Sequence, residues 1–279
     1  MSERAAIARS REPVTAGLLK SRLSDLGIAA GDVLLVHCSL SALGWVCGGP
    51  VTVIEALLDA VGPEGTVAMP AHSTDLSEPS NWMNPPVPAQ WCSAIRATMP
   101  AFDPRRTPTR AMGAVAEIFR TWPGAFRSDH PTSSIAAIGP HAAVITSEHP
   151  LDDPMGDASP LGKLYALDAR IVLAGVGHDR NTSLHLAERR AFGSLQARTR
   201  TGSPVAVEGR RQWVEYQEPL ACSDDFAALG EAFEAANDVP RSGALRAMRL
   251  RELVDFGAGW LPAHRQPDGR PWTASSSAG

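Results

Sequence analysis

Three short apolar runs constrain the fold of this chain more than any other feature of its sequence. They cover residues 32–40, 66–69 and 170–177, and polar residues follow each run. A continuous apolar run of this length is typical of a strand that is buried on both faces of a sheet. Amphipathic patterns at 51–61 and 182–191 follow two of these runs. The alternation predicts an α/β fold whose first β-α-β unit is parallel and right-handed.

The pattern changes in two later parts of the chain. Prolines interrupt any regular pattern between residues 70 and 109, and an insertion of this kind is usually functional. Residues 204–207 and 212–216 alternate with period two around a polar turn, which predicts an antiparallel hairpin. Helices are expected at 224–237 and 251–260. The predicted fold class is therefore α/β, with a mixed, partly parallel central sheet flanked by helices and an antiparallel hairpin region towards the C-terminus.

Length and composition are those of an ordinary globular protein. The chain has 279 residues, of which 44% are hydrophobic, and we expect one domain over residues 1–272. Residues 273–279 are small and polar, so a disordered tail is predicted there. No apolar run approaches the roughly 20 residues that span a bilayer. The first residues also lack the apolar segment of a secretory signal, so a cytoplasmic location without membrane contact is expected.

Charge and cysteine content exclude several classes of function. The formal net charge is −4 and the pI is about 6.1, so the chain lacks the basic excess typical of nucleic-acid partners. A mildly acidic balance permits a cationic substrate. The cysteines are far apart and form no C-x-x-C pair, which argues against both a structural zinc site and a disulfide framework. They are Cys38, Cys47, Cys92 and Cys222.

Polar residues at the ends of the predicted strands are the candidates for chemistry. In open α/β sheets ligands bind at the carboxyl ends of the strands, so residues from several strands are expected to converge there. The following helix carries His185 and Glu188 three positions apart, which places both on one face. The strand ends supply His37, Cys38, Ser39, Ser41, His72, Asp75, His178 and Asp179.

These residues leave three chemistries open. Histidines and carboxylates could hold a divalent metal ion, although their spacing matches no known zinc-hydrolase pattern. Cys38 or Ser39 could be an acylated nucleophile, but the G-x-S-x-G elbow is missing. A histidine supported by a carboxylate could instead deprotonate a bound amine or alcohol, which requires the fewest special residues. The loop at residues 39–49 leads into a helix N-terminus and suits an anionic pyrophosphate.

Four segments together resemble the aminoglycoside 3-N-acetyltransferase family. They are residues 33–44 (VLLVHCSLSALG), 127–131 (RSDHP), 159–164 (SPLGKL) and 173–188 (LAGVGHDRNTSLHLAE). The resemblance extends in order over residues 18–260. It implies a family-specific α/β fold and direct transfer of an acetyl group from acetyl-coenzyme A to an amine within a ternary complex. Acetyl-coenzyme A would be a co-substrate, with no tightly bound cofactor and no metal.

The resemblance also implies roles for individual residues. His185 corresponds to the catalytic base, Glu218 to its carboxylate partner, in preference to the neighbouring Glu188, and Asp75 to the third catalytic member. The contacts to coenzyme A are expected from His37, Ser39, Leu40, Ser41, Arg127 and Ser128. The substrate's ammonium groups are expected to bind Asp75, Asp179, Glu188, Glu218 and Asp225.

The implied acceptor is the 3-amino group of a 2-deoxystreptamine antibiotic, and its acetylation would confer resistance. The insertion at residues 79–108 is expected to border the acceptor pocket. Acetylation of a different amine and an acyl-enzyme at Cys38 or Ser39 are the alternatives. A coenzyme A or polyamine binding module without catalysis is the alternative from another class. The protein is expected to be a monomer or a homodimer.

Overall fold

The structure of the chain, a computed structural model, describes residues 3–272. Its centre is a seven-stranded sheet, and two further strands form a separate sheet. The tail predicted to be disordered, residues 273–279, lies outside the described residues. The strands are β1 (Val33–Cys38), β2 (Thr66–Pro70), β3 (Phe126–Arg127), β4 (Ile135–Ile138), β5 (Arg170–Ala174), β6 (Arg198–Val207), β7 (Arg210–Pro219), β8 (Arg241–Ser242) and β9 (Leu245–Arg249).

Helices connect the strands, and several lie close to the predicted positions. Thr15 caps the helix that follows it by accepting a hydrogen bond from the Leu18 amide. Between residues 3 and 272, no helix combines the length and apolar character needed to cross a membrane. The helices are α1 (Glu3–Arg9), α2 (Ala16–Asp25), α3 (Leu40–Leu43), α4 (Gly49–Val61), α5 (Cys92–Thr98), α6 (Gly113–Phe119), α7 (Ala142–Thr146), α8 (Pro160–Ala166), α9 (Leu184–Phe192), α10 (Phe226–Ala236) and α11 (Leu250–His264).

The central sheet is mixed, with its parallel strands in the middle. The strand order is β3-β4-β2-β1-β5-β9-β8. Strand β1 pairs in parallel with β2 on one side and with β5 on the other. The other neighbouring pairs are antiparallel. The predicted fold class and the parallel pairing of the first β-α-β unit are confirmed, whereas β8 and β9 were not predicted.

Both faces of the central sheet are covered, which explains why its strands are continuously apolar. Leu34 and Val36 belong to a core that includes residues of α2, α4 and α6. Val33 and Leu35 point to the opposite face and belong to a second core, which includes residues of α7 to α11. Successive side chains of a strand alternate between the two faces of a sheet, so every position of β1 is buried against helices.

Strand β5 ends earlier than the sequence predicts, at Ala174 instead of residue 177. Gly175 has a φ of +71°, a conformation that glycine adopts without steric cost. A Cβ atom at this position would lie 2.8 Å from the Ala42 Cβ. The strand therefore breaks where its backbone approaches α3, and the next residues turn along the edge of the sheet.

The proline-rich insertion contains one helix, α5, that the sequence pattern did not predict. Its packing is fixed by hydrogen bonds to the two-stranded sheet of β6 and β7. The Phe102 amide donates to the Pro204 carbonyl at 2.9 Å, and Arg211 Nε donates to the Met99 carbonyl at 2.6 Å. Because these bonds involve the backbone, the insertion and the hairpin form one continuous surface.

Replacement of Gly230 by alanine is expected to destabilise the protein. A Cβ atom there would lie 2.0 Å from the His178 Cγ, and His178 is itself fixed by a 2.9 Å contact to Glu234. Overpacking of this kind costs about 1–3 kcal/mol, which urea denaturation would measure. Gly259→Ala is the matched control, since this helical glycine has no atom within 4 Å of its Cβ position. The control should gain about 0.5–1 kcal/mol; equal effects of both variants would contradict the prediction.

Candidate active site

The carboxyl ends of three parallel strands create a cavity at one edge of the central sheet. Because β1, β2 and β5 run in the same direction, they all end at this edge. A cavity of about 1030 Å³ lies there. His37 from β1, Met69 from β2 and Gly175 after β5 form part of its wall. Residues of α1, α3 and α6 also line the cavity, so its wall is built from both strand ends and helices.

The residues expected at the first strand end do line this cavity. His37, Ser39, Leu40 and Ser41 all lie in its wall. The Ser39 amide donates to the Ala174 carbonyl at 2.9 Å, which fixes the start of α3 against the end of β5. The hydroxyls of Ser39 and Ser41 lie 3.5 Å apart and are available as hydrogen-bond partners for a bound ligand. Their contact with coenzyme A remains a prediction.

His37 is a neutral, enclosed histidine. Its Nε2 accepts a hydrogen bond from the Thr182 amide at 3.0 Å, so the ring proton resides on Nδ1. Burial, together with His72 and His178, lowers the pKa of His37 to about 3. His37 therefore carries no positive charge at neutral pH and cannot serve as an ionic partner for a pyrophosphate.

Arg127 and Ser128, which were expected to contact coenzyme A, bind other parts of the protein in this structure, and their contact with coenzyme A stays a prediction. The N–H groups of Arg127 donate to protein acceptors, including the Thr107 carbonyl at 2.6 Å and the Ala71 carbonyl at 2.5 Å. Ser128 is fully buried, and its hydroxyl contacts His149 Nδ1 at 2.9 Å. Neither residue lines the cavity. Both side chains are occupied by the loops around β3 and β4.

His185 and Glu188 form a hydrogen-bonded pair on α9. The His185 Nδ1 lies 2.9 Å from Glu188 Oε2. The other carboxylate oxygen of Glu188 accepts from Arg265 Nη2 at 2.6 Å and from the Cys222 amide at 3.1 Å. The Phe226 ring lies 4.8 Å from the imidazole, between ring centroids. Glu188 therefore fixes the orientation of His185 and leaves its Nε2 as the nitrogen directed away from the carboxylate.

This arrangement corrects the predicted partner of His185. The expected carboxylate was Glu218, but the contact is made by Glu188. The reason is local, since positions i and i+3 of a helix lie on the same face. The expectation that Glu188 binds a substrate ammonium stays a prediction, and the Glu188 carboxylate already has protein contacts. Its side chain is only 3% exposed, and both of its oxygens already have protein partners.

Glu218 lies on β7, and its carboxyl group is half-buried. Burial raises the pKa of Glu218 to about 7, against the opposing effect of Arg198. No other described residue forms a hydrogen bond with its carboxyl group. A cation bound beside Glu218 would stabilise the ionised form of its carboxyl group, which burial disfavours.

The other predicted acidic residues occupy separate positions. Asp75 is exposed, and its closest ion-pair contact is with Arg110 at 3.4 Å. Asp179 lines the cavity and pairs with Arg180 at 3.1 Å. Asp225 accepts a hydrogen bond from Arg265 at 2.9 Å, and burial raises its pKa. The roles of these three residues in substrate binding remain predictions.

Arg265 is a residue that sequence reasoning missed. It lies directly after α11, and its side chain is only 2% exposed. Its guanidinium bonds Glu188, Asp225 and the Cys222 carbonyl, so it connects α9 to the start of α10. No sequence pattern indicated this role, because an isolated arginine near the C-terminus is usually a surface residue.

Cys38, the candidate nucleophile, also lies in the cavity wall. Burial raises the pKa of its thiol to about 12. A thiol is nucleophilic as the thiolate, so this environment disfavours attack by Cys38 at neutral pH.

The histidines and carboxylates that could have held a metal ion, His178, Asp179, His185 and Glu188, lie in separate contacts. His178 Nε2 pairs with Glu234 at 2.9 Å, whereas His185 pairs with Glu188. Residues 3–272 contain no group of three histidine, cysteine or acidic side chains positioned to hold a metal ion.

Comparison with known sequences identifies the family of this fold and site. The sequence profile of the aminoglycoside 3-N-acetyltransferase family matches residues 35–262. The YokD protein of Bacillus subtilis (strain 168), described as a prophage-derived aminoglycoside N(3')-acetyltransferase-like protein, is 43% identical over 254 residues, covering 89% of this chain and 93% of YokD. The aminoglycoside N(3)-acetyltransferase VIII of Streptomyces fradiae is 42% identical over 224 residues, covering 78% of this chain and 76% of that enzyme.

Solved structures agree with the sequence comparison. The crystal structure of YokD superposes with a TM-score of 0.88 at 42% identity, covering 92% of this chain and 96% of YokD. The structure of AAC-IIIb in a binary complex with CoASH gives a TM-score of 0.79 at 32% identity, covering 90% and 97% of the two chains. The protein is thus an acyltransferase of α/β fold. It belongs to the aminoglycoside 3-N-acetyltransferase family.

Replacement of Arg265 by methionine is expected to lower stability by about 3 kcal/mol, because it leaves the buried Glu188 carboxylate without its cation. Urea denaturation at neutral pH would measure the loss. Arg270→Met is the matched control, since Arg270 also pairs with a carboxylate but is 73% exposed. The control should leave the unfolding midpoint almost unchanged. Similar midpoints for the two variants would show that the buried pair does not stabilise the fold.

Glu218→Gln is expected to change how stability depends on pH. Since the pKa of Glu218 is about 7 in the folded protein and 4.5 ordinarily, the folded state holds a proton that the unfolded chain loses. The stability of the wild type therefore falls as the pH rises from about 4.5 to above 7. The variant should be more stable by about 2 kcal/mol at pH 8, with a smaller advantage at pH 5.

Thermal melts of both proteins at the two pH values would test this expectation. Glu215→Gln is the control, because Glu215 lies on the same strand with its side chain 49% exposed. An advantage of Glu218→Gln that is the same at pH 5 and pH 8 would contradict the assignment.

Proposed function

We propose that this protein transfers the acetyl group of acetyl-coenzyme A to the 3-amino group of a 2-deoxystreptamine aminoglycoside, with His185 as the general base. Acetylation removes a positive charge from the antibiotic and would confer resistance. Family membership supports the reaction class and the acceptor. The hydrogen-bonded pair of His185 and Glu188, on the helix that begins just after the cavity-lining Thr182, is the observation that carries the mechanism.

The donor is proposed to occupy the cavity at the ends of β1, β2 and β5. Its volume of about 1030 Å³ is in the range of sites for large ligands. The hydroxyls and backbone of Ser39 and Ser41 offer neutral contacts, while His37 contributes no charge. The related AAC-IIIb structure carries CoASH, which supports coenzyme A as the ligand of this family's fold.

His185 is suited to accept the proton of the attacking amine. Its Nδ1–H donates to Glu188, so the lone pair is on Nε2. The protonated amine of the acceptor first loses one proton to the solvent. As its neutral nitrogen attacks the carbonyl carbon of the thioester, His185 Nε2 takes a second proton from that nitrogen. The Glu188 carboxylate stabilises the imidazolium that forms when His185 takes the proton. As the carbon–sulfur bond breaks, the imidazolium returns that proton to the sulfur of coenzyme A.

The acceptor is proposed to bind to the carboxyl groups of Glu218, Asp75 and Asp225. Glu218 forms no hydrogen bond with the described residues, and burial of its charge favours a cationic partner. Asp75 is exposed and belongs to the turn after β2. Asp225 lies at the start of α10, beside Arg265. Several carboxylates around a base suit a polyamine with ammonium groups at different positions.

Direct transfer is proposed in preference to an acyl-enzyme. The environment of Cys38 raises its pKa to about 12, so a thiolate is rare at neutral pH. Ser39 has only the Ser41 hydroxyl, at 3.5 Å, as a side-chain partner and has no base beside it. Neither residue has the activated nucleophile arrangement that covalent catalysis requires.

His185→Ala is expected to lower the turnover number by at least about 100-fold, the usual contribution of a general base. Thiol release from acetyl-coenzyme A with a panel of aminoglycosides would measure it, and binding of coenzyme A should persist. His141→Ala is the matched control, because the His141 amide bonds Thr66 at the opposite edge of the sheet. Unchanged turnover in His185→Ala would refute the assignment of the base.

The same assay separates the alternatives. Thiol release with other amines but not with any aminoglycoside would leave the mechanism in place and change the acceptor. Loss of activity in Cys38→Ala, together with an acetylated enzyme in mass spectra, would establish the acyl-enzyme route instead.

A further inference from the structure

Arg265 contacts one member of the proposed catalytic pair, His185 and Glu188, and the mechanism of transfer gives it no task. Its Nη2 donates to Glu188 Oε1 at 2.6 Å, while the His185 Nδ1 lies 2.9 Å from Glu188 Oε2. One carboxylate therefore joins a cation to the imidazole, with a separate oxygen for each. The side chains of Arg265 and Glu188 are only 2% and 3% exposed, so solvent and salt screen their attraction little.

The guanidinium of Arg265 is held in place from several sides. Its Nη1 donates to the Cys222 carbonyl at 2.8 Å and to Asp225 Oδ1 at 2.9 Å. The ring centroids of Phe192 and Phe226 lie 5.8 Å and 5.9 Å from the guanidinium carbon. A planar guanidinium, with several donors in fixed directions, suits such a set of acceptors better than an ammonium group does. These contacts fix the cation beside the carboxylate that it pairs with.

Glu188 can contact the His185 ring in two protonation states, and only one of them leaves a base. An ionised carboxylate accepts the proton of Nδ1–H, so the lone pair of the imidazole is on Nε2. A protonated carboxyl group would instead donate to Nδ1, and the ring proton would then be on Nε2. In that state Nε2 cannot take a proton from an amine. The role of His185 therefore depends on Glu188 staying ionised.

A buried carboxylate needs a compensating charge to stay ionised, and Arg265 supplies it. Three other titratable groups face the catalytic pair. His72, which interacts electrostatically with His185, is neutral, because burial lowers its pKa to about 3. Asp225 is an acid and Cys222 carries a thiol, so neither supplies positive charge. Without Arg265 the pair would hold one more proton, on either member, and Nε2 would lose its lone pair in both cases.

We propose that Arg265 is a positioning residue that acts on His185 through Glu188: it keeps the carboxylate ionised, the imidazole proton on Nδ1 and the lone pair on Nε2. The inference rests on the proposed acetyl transfer with His185 as its base. Arg265 makes no contact with the reacting atoms. During transfer the amine proton moves to Nε2 and then to the sulfur of coenzyme A, while the proton on Nδ1 stays beside Glu188. Arg265 is not part of the wall of the donor cavity, so its removal should leave the binding of acetyl-coenzyme A unchanged.

Nitrogen NMR of the free protein would show the tautomer of His185 directly. Histidine labelled with ¹⁵N is incorporated, and the signals of His185 are identified by their loss in His185→Ala. At neutral pH the wild type should show a protonated Nδ1 and an unprotonated Nε2. Arg265→Met should show a protonated Nε2, because the pair then holds one more proton.

Arg189→Met is the matched control for this measurement. Arg189 lies on the same helix as the catalytic pair, its side chain is 15% exposed, and it pairs with Asp153 at 2.8 Å. The control should lose stability but keep the tautomer of the wild type. A protonated Nε2 in the wild type overturns the proposal, as does an unchanged tautomer in folded Arg265→Met or an equal change in the control.

The dependence of the turnover number on pH gives a second test. In Arg265→Met the rise of the turnover number with pH should move to higher pH by about one unit or more, the usual effect of removing an opposite charge at this distance. The turnover number at neutral pH should fall about tenfold and recover in alkaline solution, with the KM of acetyl-coenzyme A almost unchanged. A loss that is equal at every pH would show a merely structural role and overturn the proposal.

A double-mutant cycle with Glu188→Gln tests whether the effect passes through the carboxylate. Arg265→Met should move the pH profile in the wild-type background and leave it in place in the Glu188→Gln background. The double variant has no unpaired carboxylate at position 188, so it should also be more stable than Arg265→Met alone. Equal shifts of the pH profile in both backgrounds overturn the proposal.

Two further variants decide the question if Arg265→Met does not fold, as judged by circular dichroism. Arg265→Lys keeps the positive charge beside Glu188, whereas Arg265→Gln keeps a hydrogen-bond donor without the charge. The lysine variant should show the tautomer of the wild type, and the glutamine variant should show a protonated Nε2. The same tautomer in both variants overturns the proposal.

The tautomer is measured without substrates, which separates this inference from the proposed function. Full turnover of His185→Ala, together with a tautomer that depends on Arg265, would refute the base and leave the effect of Arg265 on the imidazole in place. A large loss of turnover in His185→Ala, together with an unchanged tautomer in Arg265→Met, would refute this inference alone.

Discussion

The parallel pairing of β1 with β2 and β5 is the constraint on which the rest of the site depends. Because the three strands end at the same edge, the residues that follow them lie close to one another. The donor cavity, the loop of Ser39 and the turn of His72 all follow from this alignment. Antiparallel strands on both sides complete the sheet, and helices cover both faces of its parallel centre.

At this edge of the sheet, burial determines which histidine and glutamate side chains carry a charge. His37 is buried and His72 is half-buried, and both are neutral, with a pKa of about 3 for each. Glu188 is equally enclosed but keeps a cation, Arg265, at 2.6 Å. Ionised groups in such surroundings need a partner, whereas neutral imidazoles need only hydrogen bonds. His185 and His178 each face a carboxylate that is paired with arginine, whereas His37 does not.

The predictions that held were those that depend on local pattern. Continuous apolar runs predicted β1, β2 and β5, and period-two alternation predicted the hairpin of β6 and β7. The helix α5 was missed because prolines hid its short pattern, and β9 was missed because its five residues carry two arginines. The assignment of Glu218 by resemblance alone gave the neighbourhood of the site but not the direction of the side chain, which depends on contacts far apart in sequence.

The sequence by itself determined the three parallel strands, the hairpin, the residues at the strand ends and the family. These properties follow from apolar periodicity and from motifs that are contiguous in the chain. Only the tertiary structure decided which carboxylate contacts His185. The contact depends on the packing of α9 against α11, which brings Arg265 into hydrogen-bond contact with Glu188. It also decided which histidines lose their charge, since burial is a property of the assembled core and cannot be read from neighbouring residues.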